Sequence, residues 1–406
     1  MPEAVIVATA RTPIGRAFKG SLIDMRPDDL AAIAVRAALQ KVPALDGNTV
    51  DDLMIGCAQP AGEQGYNLGR VVSLLAGIPN VPGTTVNRYC SSSLQTVRMA
   101  AHAIKAGEGD AFIAAGVECV SRFGKGKADG MEGTKNPLFA DAEKRTDALL
   151  NGAGTWTEAP GLSNVYITML QTAEDVAQAF NVSRRDQDEF AALSQQRAEA
   201  AQKRDYFQAE IVPVNTPNGA LVTKDDCPRH GTTAEKLAAL KPVLLEQMGE
   251  RATVTAGNAC PLNDGAAAVI VMSDTRAKEL GLTPLARIVS SGVTAINPEI
   301  MGMGPVEASR QALKRAKMTI GDIDLAEINE AFAAQVVPSA RELGIDYDKL
   351  NVNGGAIALG HPFGQTGARI MTTLIHNLQD ANKTIGLETM CVGGGQGMAM
   401  IIERLR

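Results

Sequence analysis

Apolar, β-branched runs alternate with stretches of helical period along this chain, and the same alternation is met twice. The first passage reads as a strand at 4–8, a helix at 28–40, strands at 52–55 and 84–86, a helix after Cys90 and a strand at 111–115. The second reads as a strand at 286–290, a helix at 306–316, a strand at 325–328, a glycine-rich turn at 353–355, a helix at 369–378 and a strand at 384–389. Such alternation predicts an α/β fold with a mainly parallel sheet, and its recurrence predicts an internal duplication whose two halves pack together. The stretch 122–249 has a different texture. It opens on the polar segment KGKADGMEGTK and continues with helical patterns at 172–180 and 184–206, the second opened by Ser183 and Asp186 at capping-box spacing. An inserted loop or lid domain is expected there, so the chain divides into 1–121 plus 250–275, an insert at 122–249, and a second half at 276–406.

Composition narrows the possible partners. A net charge of −6 offers no broad basic face for nucleic acid, so any anionic ligand must be met locally. Apolar stretches such as 265–272 fall far short of the ~20 residues of a membrane helix, and the strand at 4–8 leaves no leader ahead of it. A cytoplasmic protein is expected. The six cysteines form no C-x-x-C pair, which argues against a zinc ribbon or a thioredoxin-type motif and leaves free thiols. No complete glycine-rich nucleotide motif is found. The 40 glycines exceed the roughly 7% usual share, so close backbone approaches are expected.

In TTVNRYCSSSLQTVRMAAHAIKAGEGD a short strand gives way to a helix at the serines, with Leu94, Val97, Ala101 and Ile104 on one face and Gly107 as its stop. Cys90 then sits at a helix N-terminus, where unpaired amides and the dipole can lower a thiol pKa from about 8.5 to roughly 3.5–7.5. Taken alone, a cysteine in a tight turn is more often a small core residue. Its company changes the reading. NVNGGAIALGHPFGQTGAR places His361, one of four histidines, in a glycine-dense turn that suits an accessible general base. TIGLETMCVGGGQGMAMII places Cys391 at a strand end, an exposed turn, beside three glycines whose amides can serve as an oxyanion hole. INEAFAAQ places Asn329 and Glu330 after a strand, where a plain N-cap is the alternative. For the Asn258–Asp264 cluster in TAGNACPLNDGAAA, turn chemistry is the simpler account.

NRYCSSSLQ, NEAFA, NGGAIALGHPFGQTGAR and CVGGGQG, in that order and spacing, resemble the four catalytic segments of the thiolase family, and the resemblance covers essentially the whole chain. It implies duplicated βαβαβαββ halves stacked as five layers, α-β-α-β-α, with an inserted loop domain, and a homodimer or homotetramer. It implies an acyl-CoA C-acyltransferase acting on acyl-CoA, acetyl-CoA and CoA, with CoA a substrate and no metal or other cofactor. Carried over by residue, Cys90 is the acylated nucleophile, His361 its base, Cys391 the group that moves the α-carbon proton, and Asn329 the holder of a water in one oxyanion hole. The amides of Cys90 and Gly393 form the second. Met169, Arg229, Lys236, Leu244, Cys260 and Phe332 fall on or near CoA-binding positions; for Arg229 and Lys236 a solvated charged face is the alternative. Leu170 stands where glycine is usual, Leu244 where phenylalanine often packs on pantetheine, and Cys260 where serine is common. NRYCSSSLQ is closer to the degradative 3-ketoacyl-CoA thiolases than to the acetoacetyl-CoA-specific biosynthetic group. A ketoacyl synthase or hydroxymethylglutaryl-CoA synthase would lack the Cys391 segment, and a non-catalytic CoA or lipid carrier should have lost one of the four segments.

Overall fold

A computed structural model of the chain describes residues 2–130, 132–152 and 154–406. Nine strands carry the architecture. In the first half these are β1 (Ala4–Arg11), β2 (Asp52–Gly56), β3 (Gly83–Val86), β4 (Ala111–Cys119) and β5 (Asn263–Ser273). In the second they are β6 (Ala286–Ala295), β7 (Leu325–Ile328), β8 (Ile385–Val392) and β9 (Gln396–Arg404). Their order across the sheet is β7-β8-β9-β6-β1-β5-β4-β2-β3. Within the sheet the two halves pair where Val5 meets Arg287 and Ile6 meets Ala286. Taking β6 to β9 as counterparts of β1, β2, β4 and β5, the order within each half is the same. The place of β3 is held in the second half by a single parallel bridge, Ala326 to Leu350.

The sheet is mixed, which corrects the expectation of a mainly parallel one. Parallel pairing joins β2 to β3, β2 to β4 and β7 to β8. The closing strands β5 and β9 run antiparallel to both neighbours. For β9 the cause is local, because a three-glycine turn after β8 folds the chain straight back, and only antiparallel strands accept so short a connection.

Five layers follow from the helices. α1 (Pro27–Gln40) and α2 (Leu68–Leu75) share one apolar cluster with the outer face of the first half-sheet. α3 (Ser92–Ala106) lies in the middle with a helix of the second half, Thr366–Asp380, and Leu94, Val97, Ile104, Ile370 and Leu374 share a core with residues of both half-sheets. The outer helices of the second half, Gly304–Ala316 and Ala333–Leu343, close the stack. The expected helices within 122–249 form at Met169–Ala179 and Arg184–Lys203, and the Ser183–Asp186 capping box is present. Arg11 of β1 anchors this region through buried ion pairs to Glu210 (2.7 Å) and Asp225 (2.8 Å).

Candidate active site

Cys90 lies in a single 3-10 turn, Tyr89–Ser91, that feeds α3. Tyr89 takes φ 43, a left-handed conformation costly for a large side chain. Side chains hold it there: Asn87 Oδ1 accepts from the Tyr89 amide (2.8 Å), and Ser92 Oγ accepts from the Arg88 amide and donates to the Tyr89 carbonyl. Arg88 ties the turn to the far hairpin by donating to Gln396 Oε1 (2.6 Å).

The thiol does not behave as its helix position suggested. Cys90 is 9% exposed, and burial pushes its pKa up to about 12 against the opposing pull of two amides, those of Gly393 and of Cys90 itself. Desolvation outweighs the dipole because a lone thiolate loses more in leaving water than half a charge at a helix end returns. The resting group is therefore a thiol. Those two amides nonetheless converge on the sulfur from opposite halves of the molecule.

His361 is also buried, 1% exposed, rather than open as its glycine-rich surroundings suggested. Gly364 and Gly367 serve the backbone instead of a ligand: a Cβ on Gly364 would lie 2.3 Å from the Val117 carbonyl oxygen, and one on Gly367 2.3 Å from the Leu94 amide. Both let the second half press on β4 and α3 of the first. The imidazole's hydrogen bonds fix its tautomer. Thr366 Oγ1 donates its only proton to the Pro362 carbonyl (2.8 Å), so it accepts from His361 Nδ1 at 2.6 Å. Nε2 is then the basic nitrogen, and Asn329 Nδ2 donates to it at 3.3 Å. Burial, with Arg369 second, lowers the His361 pKa to about 3, so the ring is neutral. Its edge-to-face neighbour Phe363, 5.1 Å between centroids, lines the same cavity as Cys90.

Asn329 is not an N-cap. Phe332 holds that position for the helix Ala333–Leu343, and Asn329 follows the end of β7 with its Oδ1 buried and, among the described residues, without a partner. Cys391 is fully buried within the β8–β9 ladder opposite Gly397, not at an exposed turn. Burial raises its pKa well above the ordinary thiol value, followed by the nearby sulfurs of Cys90 and Cys260, so the three thiols form one cluster.

A cavity of about 780 Å³ opens onto Cys90, lined also by Tyr89, Tyr166, Ile167, Met169, Phe363 and Gly393, with Asp129, Glu132 and Lys135 on its rim. Of the expected CoA-binding residues only Met169 borders it. Phe332 pairs with Ala259 beside Cys260, whose amide donates to the Ala331 carbonyl. Arg229 and Lys236 lie exposed on the insert, Lys236 donating to the Gly231 carbonyl, and Leu244 is partly buried ahead of a short helix, Leu245–Met248.

Three buried residues organise the site, two of which, Glu118 and Asn263, sequence reading did not single out. Glu118 accepts from the amides of Ala58, Gln59 and Gly364 and from Gln64, joining the Cys57 loop to the His361 turn. Asn263 Oδ1 accepts from the His361 amide (2.8 Å). Glu330 accepts from Ser194, Asn351 and the Ile357 amide, bracing the segment that leads to His361. Glu330 and Asn263 stood inside quoted motifs, while Glu118 ends an apolar strand with no local signal beyond an acid in a buried run. The turn reading for Asn258 agrees with its Oδ1 accepting from Thr255 (2.8 Å).

This fold and this thiol, imidazole and amide arrangement suit an acyl-transfer enzyme. Residues 4–275 match the family model "Thiolase, N-terminal domain" and residues 282–404 "Thiolase, C-terminal domain". The chain is 45% identical to a beta-ketoadipyl-CoA thiolase of Acinetobacter baylyi over 100% of both chains, and 45% identical to a 3-ketoacyl-CoA thiolase of Bacillus subtilis over 99% of this chain and 100% of that one. The crystal structure of the Bacillus anthracis acetyl-CoA acetyltransferase superposes with a TM-score of 0.85 at 36% identity, covering 100% of this chain and 99% of that one. The chain belongs to the thiolase family. Its activity is that of an acyl-CoA C-acyltransferase working on acyl-CoA and CoA.

Proposed function

We propose that the chain performs thiolysis of 3-ketoacyl-CoA and the reverse Claisen condensation by a ping-pong route through acyl-Cys90. The observation that carries this is the convergence of the Cys90 and Gly393 amides on a buried sulfur at the end of the cavity. In thiolysis the Cys90 sulfur attacks the 3-keto carbonyl while its proton passes to neutral His361 Nε2. The resulting oxyanion is met by the two amides. The bond between C2 and C3 then breaks, and Cys391 protonates the departing α-carbon to give acetyl-CoA. The enolate oxygen of that fragment is stabilised by His361 and by a water on Asn329, whose unpartnered Oδ1 suits a bound water. A CoA thiol finally attacks the acyl-Cys90 carbonyl, releasing acyl-CoA and restoring the Cys90 thiol. The chemistry calls for no metal or redox cofactor, CoA being a substrate.

A cavity larger than an acetyl group needs, with Ile167, Met169 and Phe363 on its wall, favours longer acyl chains and a degradative role, as in β-oxidation. An acetoacetyl-CoA-specific biosynthetic enzyme is the second reading, favoured by the full-length likeness to the Bacillus anthracis acetyl-CoA acetyltransferase. A homodimer or homotetramer is supported by β3, a half-buried strand at a sheet edge that could accept a second copy. The six free cysteines suit a cytoplasmic location, and among the described residues no helix is long and apolar enough to cross a membrane.

Incubation with acetyl-CoA followed by peptide mass spectrometry should find an acetyl increment on the Cys90 peptide; none, with the protein folded, would sink the route. Cys391→Ser should keep that increment and lose most condensation and thiolysis. Equal loss of both steps would remove the assigned role of Cys391. A series of 3-ketoacyl-CoA chain lengths separates the two substrate readings.

A further inference from the structure

Arg98, His102 and Lys105 recur at i, i+4 and i+7 on α3, so they share one helix face. Arg315, in the last turn of the helix Gly304–Ala316, reaches the same depression from the second half, whose strand β6 adds Ser290 and Ser291. The depression holds about 310 Å³ and no carboxylate lines it. Among the described residues none of these four basic side chains makes an ion pair. Arg98 and Arg315 bond only Ser291, at its hydroxyl (3.2 Å) and its carbonyl (2.6 Å). Glu403, on the strand that supplies Met400 to the wall, is engaged by Arg287. Burial and then Arg98, Lys105 and Arg315 hold the His102 pKa down, so the group faces cations.

Clustered like charges repel, and a chain of net charge −6 has acids to spare for such a cluster. The helix dipole accounts for Lys105 near the end of α3 but not for Arg98 at its middle. We propose that this depression, remote in lining from the Cys90 cavity, is a binding site for a small multivalent phosphate anion such as a diphosphate group. Guanidinium forks from two helices suit a tetrahedral oxyanion, and the Ser291 hydroxyl, which accepts from Arg98, keeps its own proton to donate to it. Inorganic diphosphate and the diphosphate of a nucleotide share this chemistry.

The test is calorimetric titration of the whole protein with inorganic pyrophosphate, with and without saturating CoA, repeated with adenosine 5′-diphosphate to distinguish the sources. One pyrophosphate should bind per chain, persist with CoA present and in Arg229→Gln, and weaken about tenfold or more in the Lys105→Gln, Arg315→Gln double variant. Both positions are solvent-accessible, and the double variant should retain normal thiolysis. Absence of binding, its loss on adding CoA, or an unchanged affinity in the double variant would overturn the proposal.

Discussion

The proton on Cys90 can be followed by titration. Burial raises the thiol pKa to about 12, so about one sulfur in 10⁵ is thiolate at pH 7, and burial lowers the imidazole pKa to about 3, so both groups are neutral at rest. In the proposed route the proton then leaves as the sulfur attacks. Alkylation of Cys90 by iodoacetamide, which depends on thiolate, should then rise about tenfold per pH unit from pH 6 to 9 with no inflection. The rate is read from intact mass on a Cys391→Ser background. His361→Asn should leave that slope unchanged, because the imidazole does not hold the proton at rest, while slowing acylation by acetyl-CoA by a factor of about 10²–10⁴. A plateau with a midpoint near or below pH 7, abolished in His361→Asn, would refute the neutral-pair account.

Thr366→Val removes the acceptor that fixes His361 Nδ1–H and steadies the imidazolium formed during attack, so kcat should fall about 10–100-fold, with Thr366→Ser restoring most of it. Glu118→Gln turns an amide group toward donors that face a carboxylate; urea denaturation should show a loss of about 1–3 kcal/mol, with kcat lowered through the Gly364 turn. Burial alone would raise Glu210, but Arg11 and then His376 hold it at about 2, below its ordinary 4.5. Its contribution is complete above pH 4.5 and is lost as pH falls toward 2, about 3 kcal/mol in all. Glu210→Gln should flatten the acid limb of the urea-midpoint profile over that window, and an unchanged limb would count against the buried pair.

Periodicity located most strands and helices of both halves because each is amphipathic or fully buried over a sufficient length, although α2 at Leu68–Leu75 was not read: Leu325–Ile328 matches residue for residue, and the capping box at Ser183 is a local signal with a local cause. The direction of β5 and β9 was not legible in the same way, since strand pairing depends on where a strand returns. The four motifs located Cys90, His361, Cys391 and Asn329, but not their protonation states. Those depend on burial, which is set by residues far away in sequence, and here it reversed the expected thiolate. Glu118 escaped notice for the same reason: its donors come from residues 57, 58, 59, 64 and 364.

The middle layer has a further consequence for how the molecule comes apart. The faces of α3 and of Thr366–Asp380 bury their leucines and isoleucines against each other and against strands from both sides. Neither half can close that core alone. A chain nicked between residues 275 and 286 should therefore stay assembled and melt in one transition, while either fragment expressed singly should expose the shared face, bind hydrophobic dyes and precipitate.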